Sequence, residues 1–467
     1  MTRLHSSIMR RWVSFICLTI LVSGFVPLAQ AQSDQWGIAK KNFNVDTAGF
    51  LSPNSVLPGE QVRAFVTCPQ GTFTLIAYRM GYYAGLNAKS YWSSPSLPCV
   101  RQSSQKVDSI THLSESHWQE SAQISTDGLP PGFYLVKIVS GVGHEAFMPL
   151  IVRQIDTRDR LVFAIPMMTS LAYNRWHGAS AYSGKTGFLD RARVLSFDRP
   201  NNWGYGSGKY LNYVQPLLIT AERLGLNIAY VSDVDVATIP NLLDGARAYV
   251  SGGHDEYWTT EERDAVKRAR SQGTNLLFFG ANVAYWRTRL APSPLGANRQ
   301  MILYKSASED PNKVNPTIRF RDSNRPESAL TGQNYNCFPA VGSFTVSAPH
   351  SFIFRSTHAK MGDSYSGIIG PEVDHVIVPN RFVGRVQVVS RSVVTCGADK
   401  KKFDTSNMVY GVSPSGAGTI SVGTMMWVER GLTNSVSART RSFVTQVTEN
   451  LLIAAASGPL GLKYPAK

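Results

Sequence analysis

The amino-acid sequence predicts a β-sandwich over residues 40–155, followed over residues 156–460 by an α/β domain built on a mainly parallel sheet. Three observations predict it. Between about residues 43 and 152 the pattern has period two: Val62, Ala64 and Val66 interleave with Arg63, Phe65 and Thr67, and Phe133, Leu135 and Lys137 interleave with Tyr134, Val136 and Ile138. From Arg160 onward, short apolar runs alternate with helical stretches, the pattern of a parallel sheet with right-handed crossovers. Within that part, residues 248–290 read as strand, loop, helix and strand, with polar residues beyond the strand ends, where such sheets bind ligands.

Residues 1–31 carry Arg10 and Arg11, an apolar run over 12–26 and then Ala29-Gln30-Ala31, the order of a secretory signal with its cleavage site. Turn clusters at Pro58-Gly59, Pro69-Gln70-Gly71 and Pro130-Pro131-Gly132 then separate short strands at intervals that suit a sandwich. No carboxylate or histidine cluster occurs there, which points to a structural or docking role. Residues 161–165 form a buried-strand run. Residues 216–225 form a helix with Leu217, Leu218, Ala221 and Leu224, and 226–231 form another strand. β character returns over 318–428, most clearly at 386–394 and 419–427, and a helix over 435–456 closes the chain, apolar at Phe443, Val444, Val447, Leu451 and Leu452.

In the stretch 248–290, the apolar run Ala248, Tyr249 and Val250 stops at Gly252-Gly253, and His254, Asp255 and Glu256 follow. Paired glycines allow close backbone approach. Thr259 and Glu262 match a capping box, the helix they open carries Ala265, Val266 and Ala269 on one face, and Gly273 closes it. Residues 276–279 are continuously apolar and end at Gly280-Ala281-Asn282, so His254, Glu256 and Asn282 face one crevice. The plainer reading of 254–256 is a solvated loop whose acids complement a helix dipole. The loop after the first strand, with Tyr173, Asn174, Trp176 and Tyr182, lies at the same edge; on composition alone these tyrosines read as packing.

The formal charge of +15 falls to +12 when Arg3, Arg10 and Arg11 leave with the signal. The basic residues are scattered, the one tight cluster is 400–402, and no nucleic-acid motif accompanies them, so nucleic acid is not an expected partner. Nothing after the signal is expected to span a membrane, and the protein is expected in the periplasm or outside the cell. Outside the signal stand Cys68, Cys99, Cys337 and Cys396, an even number for an oxidising compartment. Their grouping into an early and a late pair predicts disulfides Cys68–Cys99 and Cys337–Cys396, with buried free thiols as the alternative.

The loop AYNRWHGASAY (172–182), the segment GGHDEYW (252–258) followed by FFGANVAYW (278–286), and the early RMGYYAG (79–85) resemble proteins related to the large (beta) subunit of N,N-dimethylformamidase. The motifs occur in the family's order and span nearly all of the chain after the signal. The resemblance implies an immunoglobulin-like sandwich before a glutamine-amidotransferase-like α/β domain with a flavodoxin-like parallel sheet. It also implies mononuclear iron (Fe3+), held by two tyrosines and a glutamate, that hydrolyses an amide C–N bond. Carried onto matching positions, it makes Tyr173, Tyr182 and Glu256 the metal ligands. It places His254, Asn282, Lys305 in MILYK (301–305) and Glu372 in GPEVDH (370–375) in the catalytic pocket. Phenolate and carboxylate oxygens are hard ligands that suit such a cation. A glutaminase-type cysteine nucleophile is not expected, because the turn after 276–279 reads Phe-Phe-Gly-Ala-Asn with no cysteine near it. The family enzyme's small partner subunit has no counterpart within this chain, and a homo-oligomer is compatible with the sequence. The expectation is a secreted or periplasmic iron-dependent hydrolase of a small amide. The alternative is a non-catalytic envelope protein that keeps the fold to bind a ligand.

Overall fold

The structure, a computed structural model, describes residues 36–466 except 104; the expected secretory signal lies outside the described residues. The period-two stretch folds into two sheets. One joins Ala48–Ser52, Gln61–Thr67 and Ala122–Ser125 in antiparallel register. The other runs Ser55–Val56, Glu145–Val152, Gly132–Ser140, Thr72–Met80 and Ala88–Ser93. Alternation turns Val62, Ala64 and Val66 of the first toward Leu75, Ala77, Val136 and Ile138 of the second, and together they form one core. This is a β-sandwich. Both expected disulfides are present, Cys68–Cys99 closing 31 residues and Cys337–Cys396 closing 59. Loops of that size correspond to roughly 3.5–4.5 kcal/mol each on the chain-entropy account.

The rest of the chain corrects the expected fold class. Nine strands make one sheet in the order Ile228–Ser232, Leu161–Ile165, Ala248–His254, Asn275–Ala281, Gly418–Ser421, Lys402–Val412, Arg385–Cys396, Ala340–Thr345 and Ser364–Ile369. The first five are mutually parallel. Every pairing from Lys402–Val412 onward is antiparallel. A separate four-stranded sheet joins Val194–Ser196, Gly296–Ile302, Trp286–Ser293 and Tyr257–Thr259. The protein is therefore mostly β with mixed sheets, and the flavodoxin-like, glutamine-amidotransferase-like α/β class is overturned. The physical reason lies in the connections: residues 397–401 alone join the two longest strands of the sheet, and so short a link permits only antiparallel pairing.

Locally the patterns mostly translate as read. Thr259 caps the helix Thr260–Ser271 by accepting from the Glu262 N–H at 3.0 Å, but the Glu262 side chain does not complete the box and is buried against Tyr249 instead. The closing helix is Ala438–Ala456, with all five predicted apolar residues buried. Two strands end elsewhere than expected. Ala248–His254 continues through both glycines, and the strand expected over 419–427 stops at Ser421, because Met426–Glu429 is helical. The apolar core is continuous across the junction, with Met80, Phe133 and Phe147 packing in one cluster with Leu161, Phe163 and Leu217.

Asn275 fastens the parallel strands to the chain's end. Its fully buried amide donates to the carbonyls of Arg247, Ala455 and Gly458 at 3.0, 3.3 and 2.8 Å. Its oxygen accepts from the N–H groups of Gly418 and Leu460, both at 2.9 Å. Asn275→Ala removes the side-chain partner of the Gly458 carbonyl and of the Gly418 and Leu460 N–H groups, while the Arg247 and Ala455 carbonyls keep backbone donors, and should cost about 3–5 kcal/mol in urea unfolding. A loss below about 1 kcal/mol would show that water satisfies those groups.

Candidate functional site

The helix Met167–Tyr173 follows the strand Leu161–Ile165 directly, and one of its faces carries Thr169 and Tyr173. The Thr169 hydroxyl accepts from the N–H groups of Glu256 and Tyr257 at 3.0 and 3.2 Å, fixing the segment after Ala248–His254 against the helix. That strand lies unusually close to Asn275–Ala281. A Cβ on Gly280 would stand 1.5 Å from the Gly253 carbonyl oxygen, and Gly253 itself has a φ of +66°, so only glycine fits this pair. His254 and Asn282 are thereby brought side by side.

Glu256 is 2% exposed, and three side chains donate to it. Tyr173 reaches Oε2 at 2.8 Å, Tyr182 reaches Oε1 and Oε2 at 2.7 and 2.8 Å, and His254 Nε2 lies 3.3 Å from Oε2. The two phenol oxygens are 3.1 Å apart. Asp255, next in sequence, points the other way and accepts from Ser251 Oγ at 2.8 Å. Glu372 completes the cluster 3.7 Å from His254 Nδ1 and accepts from Asn282 Nδ2 at 2.9 Å. Lys305 lies 3.5 Å over the Tyr182 ring. All seven residues singled out in the sequence thus converge. Asn282 and Lys305 hold left-handed backbones, φ 57° and 60°. His254 Nδ1 and Asn282 Oδ1 are buried polar atoms with no hydrogen bond of ordinary geometry.

Burial shapes the electrostatics first. It raises both phenols well above their usual range, with the Glu256 charge adding to the effect. Burial also opposes ionisation of Glu256, yet the His254 hydrogen bond and charge, with Lys305, hold it below the ordinary carboxylate value. For His254 burial works downward, but Glu372 and Glu256 prevail and raise it to about 9. Burial pushes Lys305 down to about 7 and Glu372 upward.

The donor set fits a hard cation. Neighbouring oxygens around a six-coordinate ion with bonds of about 2.0–2.1 Å stand roughly 2.9 Å apart, and the phenol and carboxylate oxygens here are 2.7–3.1 Å apart. Among the described residues no three His, Cys, Asp or Glu side chains form a metal-binding group, so any ion at this place would need the tyrosines. Sequence reasoning missed Tyr257, whose hydroxyl lies 2.5 Å from that of Tyr182 and accepts from Lys305 Nζ at 2.7 Å. It sits inside GGHDEYW, but an aromatic beside a tryptophan reads as packing. Thr169 was missed too and leaves no sequence signal, and Asp374 was missed although it lies inside GPEVDH.

Fold and site together define a mostly β protein with phenol and carboxylate oxygens clustered at the carboxyl ends of parallel strands. Residues 74–437 match the family described as N,N-dimethylformamidase beta subunit-like, C-terminal, and the chain belongs to that family. No curated protein matches the chain. Among solved structures, the Paenibacillus sp. cycloisomaltooligosaccharide glucanotransferase complexed with cycloisomaltoheptaose is similar at 12% identity and a TM-score of 0.16. That likeness covers 27% of this chain and 17% of the other, too slight to carry an argument.

Asp374 supports the site from below, accepting from the Asn282 N–H at 2.8 Å. Burial pushes its carboxyl from 3.8 up to about 7. An acid raised on folding stabilises the protein below its unfolded value and loses that contribution as pH climbs through the folded one. Asp374→Asn stays neutral, so its stability relative to the native protein should improve between pH 4 and 7 by up to about 1.4 kcal/mol per unit. Urea unfolding across that range checks this, and a pH-independent difference would show that the carboxyl is not raised.

Proposed function

We propose that this protein is an exported, iron-dependent hydrolase of a small amide. The observation that carries the reading is the convergence of Tyr173, Tyr182 and Glu256 oxygens beside two buried polar atoms without a hydrogen bond of ordinary geometry, His254 Nδ1 and Asn282 Oδ1. Bound ferric iron would supply a Lewis acid to polarise an amide carbonyl and to acidify water. Tyr173, Tyr182 and Glu256 would hold it, the cation replacing the phenol protons that now face the carboxylate. Asn282 is fixed through its Nδ2 bond to Glu372, which leaves Oδ1 to orient an N–H or a water. His254 is anchored at Nε2 by Tyr173 and Glu256, leaving Nδ1 to pass a proton to the departing amine nitrogen, with Glu372 as the neighbouring acceptor. Hydrolysis then balances: water oxygen bonds to carbonyl carbon, the C–N bond breaks, and the amine leaves protonated beside a carboxylate.

Two disulfides support the exported reading.

Iron-replete, exported protein should contain one iron and show a visible phenolate charge-transfer band. Tyr173→Phe or Tyr182→Phe should weaken the band and lower iron affinity at least about 100-fold while the fold persists. Asn282→Ala should keep its iron but lose about 100- to 1,000-fold in turnover of small amides. Protein that binds no iron under these conditions would sink the hydrolase reading and favour a ligand-binding envelope protein.

A further inference from the structure

The helix Met167–Tyr173 has two working faces. Thr169 and Tyr173 meet Glu256, while Met167, Ser170, Leu171 and the following Asn174 line a different cavity of about 60 Å³. Its other walls include Phe50 and Leu51 of the sandwich, and its lining contains no aspartate or glutamate. It does contain Arg199, 3% exposed. Nη2 of Arg199 donates to the Asn174 carbonyl at 3.1 Å and Nη1 to the Trp176 carbonyl at 3.5 Å, while Nε is buried with no acceptor among the described residues. Asp198, the adjacent acid, is turned to Arg299 at 2.7 Å.

A guanidinium withdrawn from water is tolerated when a counter-charge accompanies it. Carbonyl dipoles alone meet two of this side chain's nitrogens. We propose that the cavity is a binding site for a small monovalent anion, of halide or formate size, held by Arg199. Burial lowers this guanidinium to about 10, and its hydrogen bonds among the described residues go to carbonyls and not to an acid. The volume suits a small ion with a few waters. The site includes none of the residues proposed to hold iron, although Lys209 in its wall also lies 5.2 Å from the Tyr173 ring. Because Arg199 also grips the carbonyls after Tyr173, the anion steadies the segment leading to Tyr182.

The test uses the whole purified protein at constant ionic strength, with sodium bromide or sodium formate replacing sodium gluconate. Bromide should give a saturable rise in Tm of about 3 °C at a hundredfold excess over its Kd. Crystals soaked in bromide should show an anomalous peak within about 3.6 Å of Arg199 Nε. Formate that abolishes the peak extends the site to carboxylates, whereas a peak that survives formate confines it to halides; both outcomes support an anion site. Arg199→Met should remove the bromide-specific rise. Identical melting in bromide and gluconate, with no anomalous peak in the cavity of the native protein, would overturn the proposal even if the variant fails to fold.

Discussion

A carboxylate out of contact with water must be surrounded by donors, and the site is organised around meeting that demand at Glu256. Its oxygens draw in a tyrosine from a helix end, a tyrosine from a loop and a histidine from a strand, while its backbone N–H is held by Thr169 on the same helix. Two stretches far apart in sequence, 169–182 and 254–256, are fixed relative to one another around one side chain's charge. Phenol protons meet that charge in the structure as it stands, and a cation would meet it in the same place.

The second requirement is steric. Strands bearing His254 and Asn282 close on each other only because Gly253 and Gly280 leave no side chain between them. The wide aromatic and imidazole groups beyond the strand ends then share a space that ordinary strand spacing would divide.

Much of this was legible in the sequence, and the failures have identifiable causes. The stretch 248–281 announced itself because a capped helix between two apolar runs has few other meanings, and the site residues followed from short motifs whose order is hard to produce by chance. The fold class did not follow. Parallel pairing was extended past Asn275–Ala281 on the strength of three strand-helix units, although the residues beyond 318 showed long β runs with short links, which are hairpin signals. Register and strand order are long-range facts that alternation does not encode. Tyr257 escaped because its ring is buried like a core residue and only its hydroxyl takes part.

The order of strands in the large sheet differs from their order along the chain. Gly418–Ser421 sits at its middle, between Asn275–Ala281 and Lys402–Val412, yet it is the last strand to be synthesised. Until those residues arrive, the site-bearing parallel half presents a bare edge of unpaired main-chain groups. Folding is therefore dominated by contacts between distant parts of the chain and is correspondingly slow. The sheet cannot be completed before the carboxyl-terminal segment has been made.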